Sequence, residues 1–162
     1  YEVMNQSDFP SYGYWIKQGA TTTWEQWNGK DSRNHPMFGG GLTWFYRILA
    51  GVNADEGAPG YKHVIIKPAL PQKLSEVYYS NITPYGKLVS EVRQNVGSLE
   101  LNVSIPVGSE ATVYIPVHHS DPKITESGKT LDSVSGIEVL GTEHSYFKVK
   151  VGQGNYHFLV KE

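Results

Sequence analysis

The stretch SLELNVSIP, residues 98–106, alternates polar and apolar positions, with Leu99, Leu101, Val103 and Ile105 on one side. Period-two alternation of this kind marks a strand with one buried face. Seven further segments carry the same rhythm: KHVIIKP, EVYYSNI, GKLVSEVRQ, EATVYIP, GIEVL, SYFKVKVG and NYHFLVKE, all between residues 61 and 162. They are rich in valine, isoleucine and tyrosine and bounded by glycine, proline, asparagine and serine. About eight short strands at this spacing predict an antiparallel β-sandwich of jelly-roll type.

The first third of the chain has a different rhythm. SYGYWIKQG offers Tyr12, Trp15 and Ile16 at helical spacing, with Gly19 as a stop. Further on, Asn34 can cap and Pro36 suits a first turn. Phe38, Leu42, Phe45, Leu49 and Val52 then recur at spacings of three and four, and Gly51 ends the helix. Trp44 and Ile48 put apolar surface on a second side of that helix. Gly39, Gly40 and Gly41 lie inside it, each costing roughly 1 kcal/mol of helix propensity, which predicts a close approach of another backbone or a ligand. Two short helices cannot bury stripes this wide against each other, so they predict a larger helical assembly. The change of rhythm falls in NADEGAPGY, and the expected organisation is a helical segment over 1–58 and a β-sandwich over 59–162.

Composition changes the picture only by exclusion. A net charge of −2 with scattered basic residues gives no footprint for nucleic acid or an anionic membrane. No apolar run reaches the length of a membrane span. The absence of cysteine removes disulfides and thiolate metal sites. The opening YEVMNQSDFP has neither an initiator methionine nor a signal-peptide pattern, which suggests a chain cut from a longer one. His118, His119 and Asp121 invite a metal reading, but adjacent strand residues point to opposite faces and make a poor chelate. The sequons at Asn81 and Asn102 matter only in a eukaryotic secretory pathway.

The chemistry concentrates in GATTTWEQWNG, residues 19–29, where Glu25 stands between Trp24 and Trp27. A carboxylate walled by aromatic rings sits where sugar C–H faces can stack and bulk water is thinned. Asp31 is the nearest other carboxylate and reads as a turn residue in GKDSRN. His35, before Pro36 at a helix start, can satisfy free N–H groups or meet a ligand. Arg47 can hold a carboxylate or pair within its own helix.

The order DFPSYGYWIKQGATTTWEQWNG, NHPMFGG, WFYRILAGV, PGYKHVIIKP resembles the C-terminal end of glycoside hydrolase family 78, the bacterial α-L-rhamnosidases. The resemblance is close over residues 8–70 and looser through YGKLVSEV and ATVYIP. It implies the end of an (α/α)6 catalytic barrel followed by a β-sandwich, and inverting hydrolysis of terminal α-L-rhamnose without metal or organic cofactor. It places the general base on Glu25 and sugar contacts on His35, Trp24 and Trp27. The general acid belongs to barrel loops upstream, so the implied partners are a rhamnose-containing glycan and the upstream part of the same barrel. A secreted or periplasmic setting fits such an enzyme. The sequence departs from the commoner family form at Thr23 and Gln26, where isoleucine and arginine are usual. Two other readings stand beside the enzyme: a carbohydrate-binding sandwich gripping glycans through Tyr78, Tyr79 or Tyr85, and a purely structural cap on the barrel. All four tryptophans precede residue 45, which counts against the first of these.

Overall fold

A computed structural model describes residues 1–118 and 122–161. The chain divides into two compact units, one over Tyr1–Phe45 and one from Tyr46 onward.

In the first unit, α1 spans Glu2–Asn5 and α2 spans Tyr12–Lys17. Ser11, itself buried, caps α2 by accepting from Tyr14 N–H at 3.0 Å. Gly19 follows in the left-handed region, at φ 77°, as the stop required. Trp15 is 2% exposed while Ile16 is 72% exposed, so only part of the expected stripe is buried within this unit.

The second expected helix is not a single α-helix. It is a 3₁₀ segment at Pro36–Gly41, one α turn at Leu42–Trp44 (α3) and a π turn at Phe45–Leu49. Its cap is His35 rather than Asn34. The glycine run explains the change. It disfavours α geometry, yet a Cβ at Gly39 or Gly40 would meet no atom within 4 Å. Close approach occurs at Gly41 alone, where a Cβ would lie 2.6 Å from the Tyr12 hydroxyl.

The second unit is a mainly β sandwich of two sheets. β1 (Val52–Ala54), β2 (His63–Ile66), β6 (Glu110–Pro116), β10 (Tyr146–Val151) and β9 (Ile137–Glu143) form one sheet, in the order β1-β2-β6-β10-β9. The other runs β3-β4-β5-β11-β7-β8, with β3 at Glu76–Thr83, β4 at Gly86–Asn95 and β5 at Ser98–Ile105. Its remaining strands are β11 at Gly154–Lys161, β7 at Lys123–Glu126 and β8 at Lys129–Thr130. All pairs are antiparallel except β2 with β6. That parallel pair arises because the chain leaves the first sheet after β2, builds β3, β4 and β5 in the other, and returns at β6.

Alternation does what it predicts. Leu99, Leu101, Val103 and Ile105 are at most 4% exposed and lie beside Phe158 and Val160 of the neighbouring β11 in one continuous core. Ala111, Val113, Ile115, Val149 and Val151 supply the opposite sheet's half of it. At about 25 cal/mol per Å² of apolar surface removed from water, these inward rows are what holds the sandwich together. Ser90 is the polar residue in this inner row, and its hydroxyl donates to the Ala50 carbonyl at 3.3 Å. At Gly51, φ is 71° and a Cβ would lie 2.1 Å from the Lys67 carbonyl carbon, so only glycine lets β1 meet β2. Tyr79, offered above as a sugar contact, is instead a core residue at 9% exposure, and burial pushes its hydroxyl pKa up. Among the described residues no helix is long and apolar enough to cross a membrane.

Candidate functional site

Residues 21–35 form a two-legged loop between α2 and the 3₁₀ segment. The legs are joined backbone to backbone. Glu25 N–H donates to Ser32 carbonyl at 2.8 Å, and His35 N–H donates to Thr23 carbonyl at 2.9 Å. The threonine hydroxyls extend the ladder, Thr22 donating to the Arg33 carbonyl and Thr23 to the His35 carbonyl. Two of the three threonines before Trp24 thus satisfy opposing carbonyls with short hydroxyl side chains where no regular sheet exists. The tip closes through Gly29 and Asp31, both at positive φ, and through the Gln26 amide donating to the Asp31 carboxylate. Asp31 is thus a turn residue, and its charge is turned to Gln26.

Glu25 and His35 stand on facing legs of this loop. The Glu25 carboxylate accepts from Ser32 N–H through Oε2 at 3.2 Å, and its other oxygen has no partner among the described residues. Held by its own loop at one oxygen and half-buried, the carboxylate keeps the second for water or ligand. His35 Nδ1 accepts from Met37 N–H at 3.3 Å, which sets the neutral tautomer with the proton on Nε2.

The tryptophans go to a different place. Trp15 is the hub of an aromatic cluster, with ring centroids 4.3 Å from Trp27, 5.7 Å from Trp24, 5.5 Å from Phe38 and 5.8 Å from Tyr12. Its indole N–H donates to the Trp27 carbonyl at 2.9 Å, pinning the loop tip to α2. Trp24 is 6% exposed, with the Arg33 guanidinium 4.8 Å from its ring centroid. Trp27 keeps partial exposure. The legs therefore alternate: Trp24 inward, Glu25 outward.

An apolar groove of about 630 Å³ lies beside the loop, lined by Tyr12, Trp15, Ile16, Phe38, Leu42 and Phe45 among others. Thr23 and Asn34 reach it; Trp24, Glu25, Trp27 and His35 are not among its lining residues. Sequence reasoning missed Ser32 and Arg33, which fix Glu25 and Trp24. Neither belongs to a periodic pattern, and only the pairing of the legs reveals them.

In the sandwich, His63 is held at both ring nitrogens, by Glu110 and Thr112, each at 2.9 Å. Hydrogen bonds from His63 and then Lys150 hold the Glu110 carboxyl below the usual glutamate range. The Arg47 guanidinium donates to Asn53 Oδ1 at 2.8 Å. No group of three or more His, Cys, Asp or Glu that could hold a metal occurs among the described residues. Of the histidine pair noted above, His119 lies outside the described residues, as does Asp121.

Residues 1–49 match the family described as the bacterial alpha-L-rhamnosidase 6 hairpin glycosidase domain, and residues 51–130 match the bacterial alpha-L-rhamnosidase C-terminal domain. The chain is similar to an alpha-L-rhamnosidase of Alteromonas sp., 34% identical over 74% of this chain and 14% of the relative. It is 28% identical to one of Streptomyces avermitilis over 99% of this chain and 16% of the relative. Among solved structures it resembles the alpha-L-rhamnosidase from Dictyoglumus thermophilum, with a TM-score of 0.87 and 31% identity. That match covers 100% of this chain and 18% of that one. It also resembles the S. avermitilis enzyme complexed with L-rhamnose, with a TM-score of 0.84, 27% identity and coverage of 98% and 16%. The chain thus spans less than a fifth of the relatives it matches.

Proposed function

Because the chain belongs to the bacterial α-L-rhamnosidase family, as a C-terminal portion of such an enzyme, we propose that the whole protein hydrolyses terminal α-L-rhamnose from glycans with Glu25 as its general base. The observation that carries this reading is the Glu25 carboxylate, tied at one oxygen to Ser32 N–H, with the other oxygen free of partners among the described residues. In an inverting reaction the base removes a proton from water as that water's oxygen bonds to the anomeric carbon. A carboxylic acid on the opposite face protonates the departing glycosidic oxygen, with the two carboxyl groups about 6.5–9.5 Å apart. Asp31 is turned to Gln26, so in this reading the acid comes from outside the chain.

His35 complements the base. With Nδ1 accepting from Met37, its Nε2–H is the donor that meets a sugar hydroxyl. Trp27, partly exposed, keeps surface for the sugar. Trp24 serves it from behind, holding the leg that presents Glu25. The apolar groove and the exposed Ile16, Leu42 and Phe45 receive the upstream helices of the barrel. Gln26, standing where the family commonly has arginine, ties the loop tip through Asp31 and tunes which leaving group is accepted.

The test is release of nitrophenol from an aryl α-L-rhamnoside by the full-length protein and its Glu25→Gln variant. Loss of a positioned general base is expected to lower the rate by about 10²–10⁴. An active wild-type protein with an equally active variant would remove Glu25 from the mechanism. Cleavage of other sugars alone would overturn the substrate.

A further inference from the structure

The outer face of the six-stranded sheet carries a row of side chains linked across three strands. Glu91 of β4, Asn102 of β5 and His157 of β11 are direct cross-strand neighbours. The Arg93 guanidinium donates to Glu91 Oε1 at 2.6 Å, and the Asn102 amide donates to Glu91 Oε2 at 2.9 Å. Asn102 Oδ1 then faces His157 Nδ1 at 2.6 Å. A carboxylate accepts only, so the Asn102 nitrogen faces Glu91 and its oxygen faces the ring. His157 must therefore donate from Nδ1, and the neutral ring keeps Nε2 as an acceptor. The row is anchored at one end and leaves one directed acceptor at the other.

The next row along the same strands is Val89, Ser104 and Asn155. Among the described residues neither the Ser104 hydroxyl nor the Asn155 amide makes a side-chain hydrogen bond. The two rows border a groove of about 440 Å³, lined by Lys87, Val89, Asn102, Ser104, Asn155 and His157 among others. Neighbouring strands lie about 4.8 Å apart and alternate residues of one strand about 6.8 Å apart. The cell of Asn102, Ser104, Asn155 and His157 is thus a small polar lattice on a rigid sheet, with Val89 as an apolar neighbour.

We propose that this groove binds a neutral sugar residue, at a site separate from the Glu25 loop. Sugars match the chemistry because each hydroxyl both donates and accepts. The groove offers an acceptor at His157, both functions at Ser104 and Asn155, and a donor at Lys87. A pyranose also has C–H surface to set against Val89. An anion is disfavoured, since one lysine stands among several acceptors and the nearby arginine is already bound to Glu91. This site differs from the tyrosine-based grip considered from the sequence, because Tyr79 is buried and none of Tyr78, Tyr79 and Tyr85 lines the groove. Only the class of ligand, a sugar, rests on the proposed function. The role that follows is retention of the glycan on the enzyme.

The experiment is a ¹H–¹⁵N titration of the chain with L-rhamnose, methyl α-L-rhamnoside, D-glucose and D-galactose, each alone. Saturable shifts clustered at 87–89, 102–104 and 155–157 are expected for at least one sugar. Asn155→Ala and His157→Ala are each expected to weaken that binding about three- to tenfold, the effect of one lost hydrogen bond. Asn155 is exposed, so its variant keeps the test intact should the His157 variant disturb the sheet. Absence of saturable shifts in this patch with all four sugars, or unchanged affinity in the Asn155 variant, overturns the site. A saturating patch in a full-length protein inactive on rhamnosides would refute the proposed hydrolysis and leave this site standing. An active protein with a silent patch would refute the site alone.

Discussion

The two units are built by opposite means. The sandwich is held by ladders whose inner rows supply their own core, and Val64, Ile66, Leu101, Val113, Ile115, Val149 and Phe158 are fully buried within it. The first unit has a cluster of rings around Trp15 and a loop tied by threonine hydroxyls, yet it leaves Val3, Phe9, Ile16, Met37 and Leu42 more than half exposed. A sheet satisfies its backbone through neighbours that the same pattern specifies. An aromatic cluster under a loop instead depends on particular contacts, each with few substitutes. The difference also divides the chemistry, because the candidate base sits on the loop and the polar lattice on the sheet.

The contrast can be read with two probes, because all four tryptophans lie in the first unit and none in the sandwich. The largest effect is expected for Phe158→Ala, which removes a fully buried ring from the sandwich core. It should destabilise the sandwich by about 3–5 kcal/mol, seen as an earlier loss of β-sheet circular dichroism on urea titration. A tryptophan-fluorescence transition shifted by the same amount would mean that the units unfold as one cooperative body. A smaller effect, about 1 kcal/mol, is expected for Ser11→Ala, which deletes the cap of α2. Here the tryptophan signal should move, and an unmoved signal would show that the cap does not support the cluster.

The smallest effect concerns pH. Glu110 is held low by His63 and Lys150, and Glu143 by Lys148. A carboxyl depressed in the folded state contributes stability above its unfolded value, and that contribution is lost as pH falls through the lower folded value. The sandwich should therefore lose stability as pH drops below the ordinary glutamate value of 4.5. Glu110→Gln should make this acid fall shallower while lowering the neutral melting temperature slightly, because the pairs are exposed and screened. Acid melting curves of the two proteins that superimpose would remove Glu110 from the account.

Legibility in the sequence followed the same division. Eight strand segments are marked by alternation, which is cleanest where one face is buried, as in β4, β5 and β6, and weakest in β9, which has no buried residue. β1, β7 and β8 are not: β1 and β8 have only three and two residues, and the three strands owe their pairing to β2, β11 and β7 in turn. Residues 36–49 form successive 3₁₀, α and π turns in place of the one helix expected. Apolar spacing of three and four is compatible with 3₁₀, α and π turns alike, and the glycine run and His35 decide among them. The Thr-Trp-Glu motif marked the candidate base through its resemblance to a family, whereas Ser32 and Arg33 became visible only when the legs were paired.

Periodicity and composition by themselves determined a strand-rich domain that follows an aromatic, helical segment in the chain, because burial of one face imposes its period on any sequence that forms the element. Tertiary structure alone decided that Trp24 turns inward while Glu25 turns outward, and that Asn102, Ser104, Asn155 and His157 share one lattice. Those facts depend on register between segments distant in the chain, and register is set by the joint packing of a whole core rather than by any one segment's pattern.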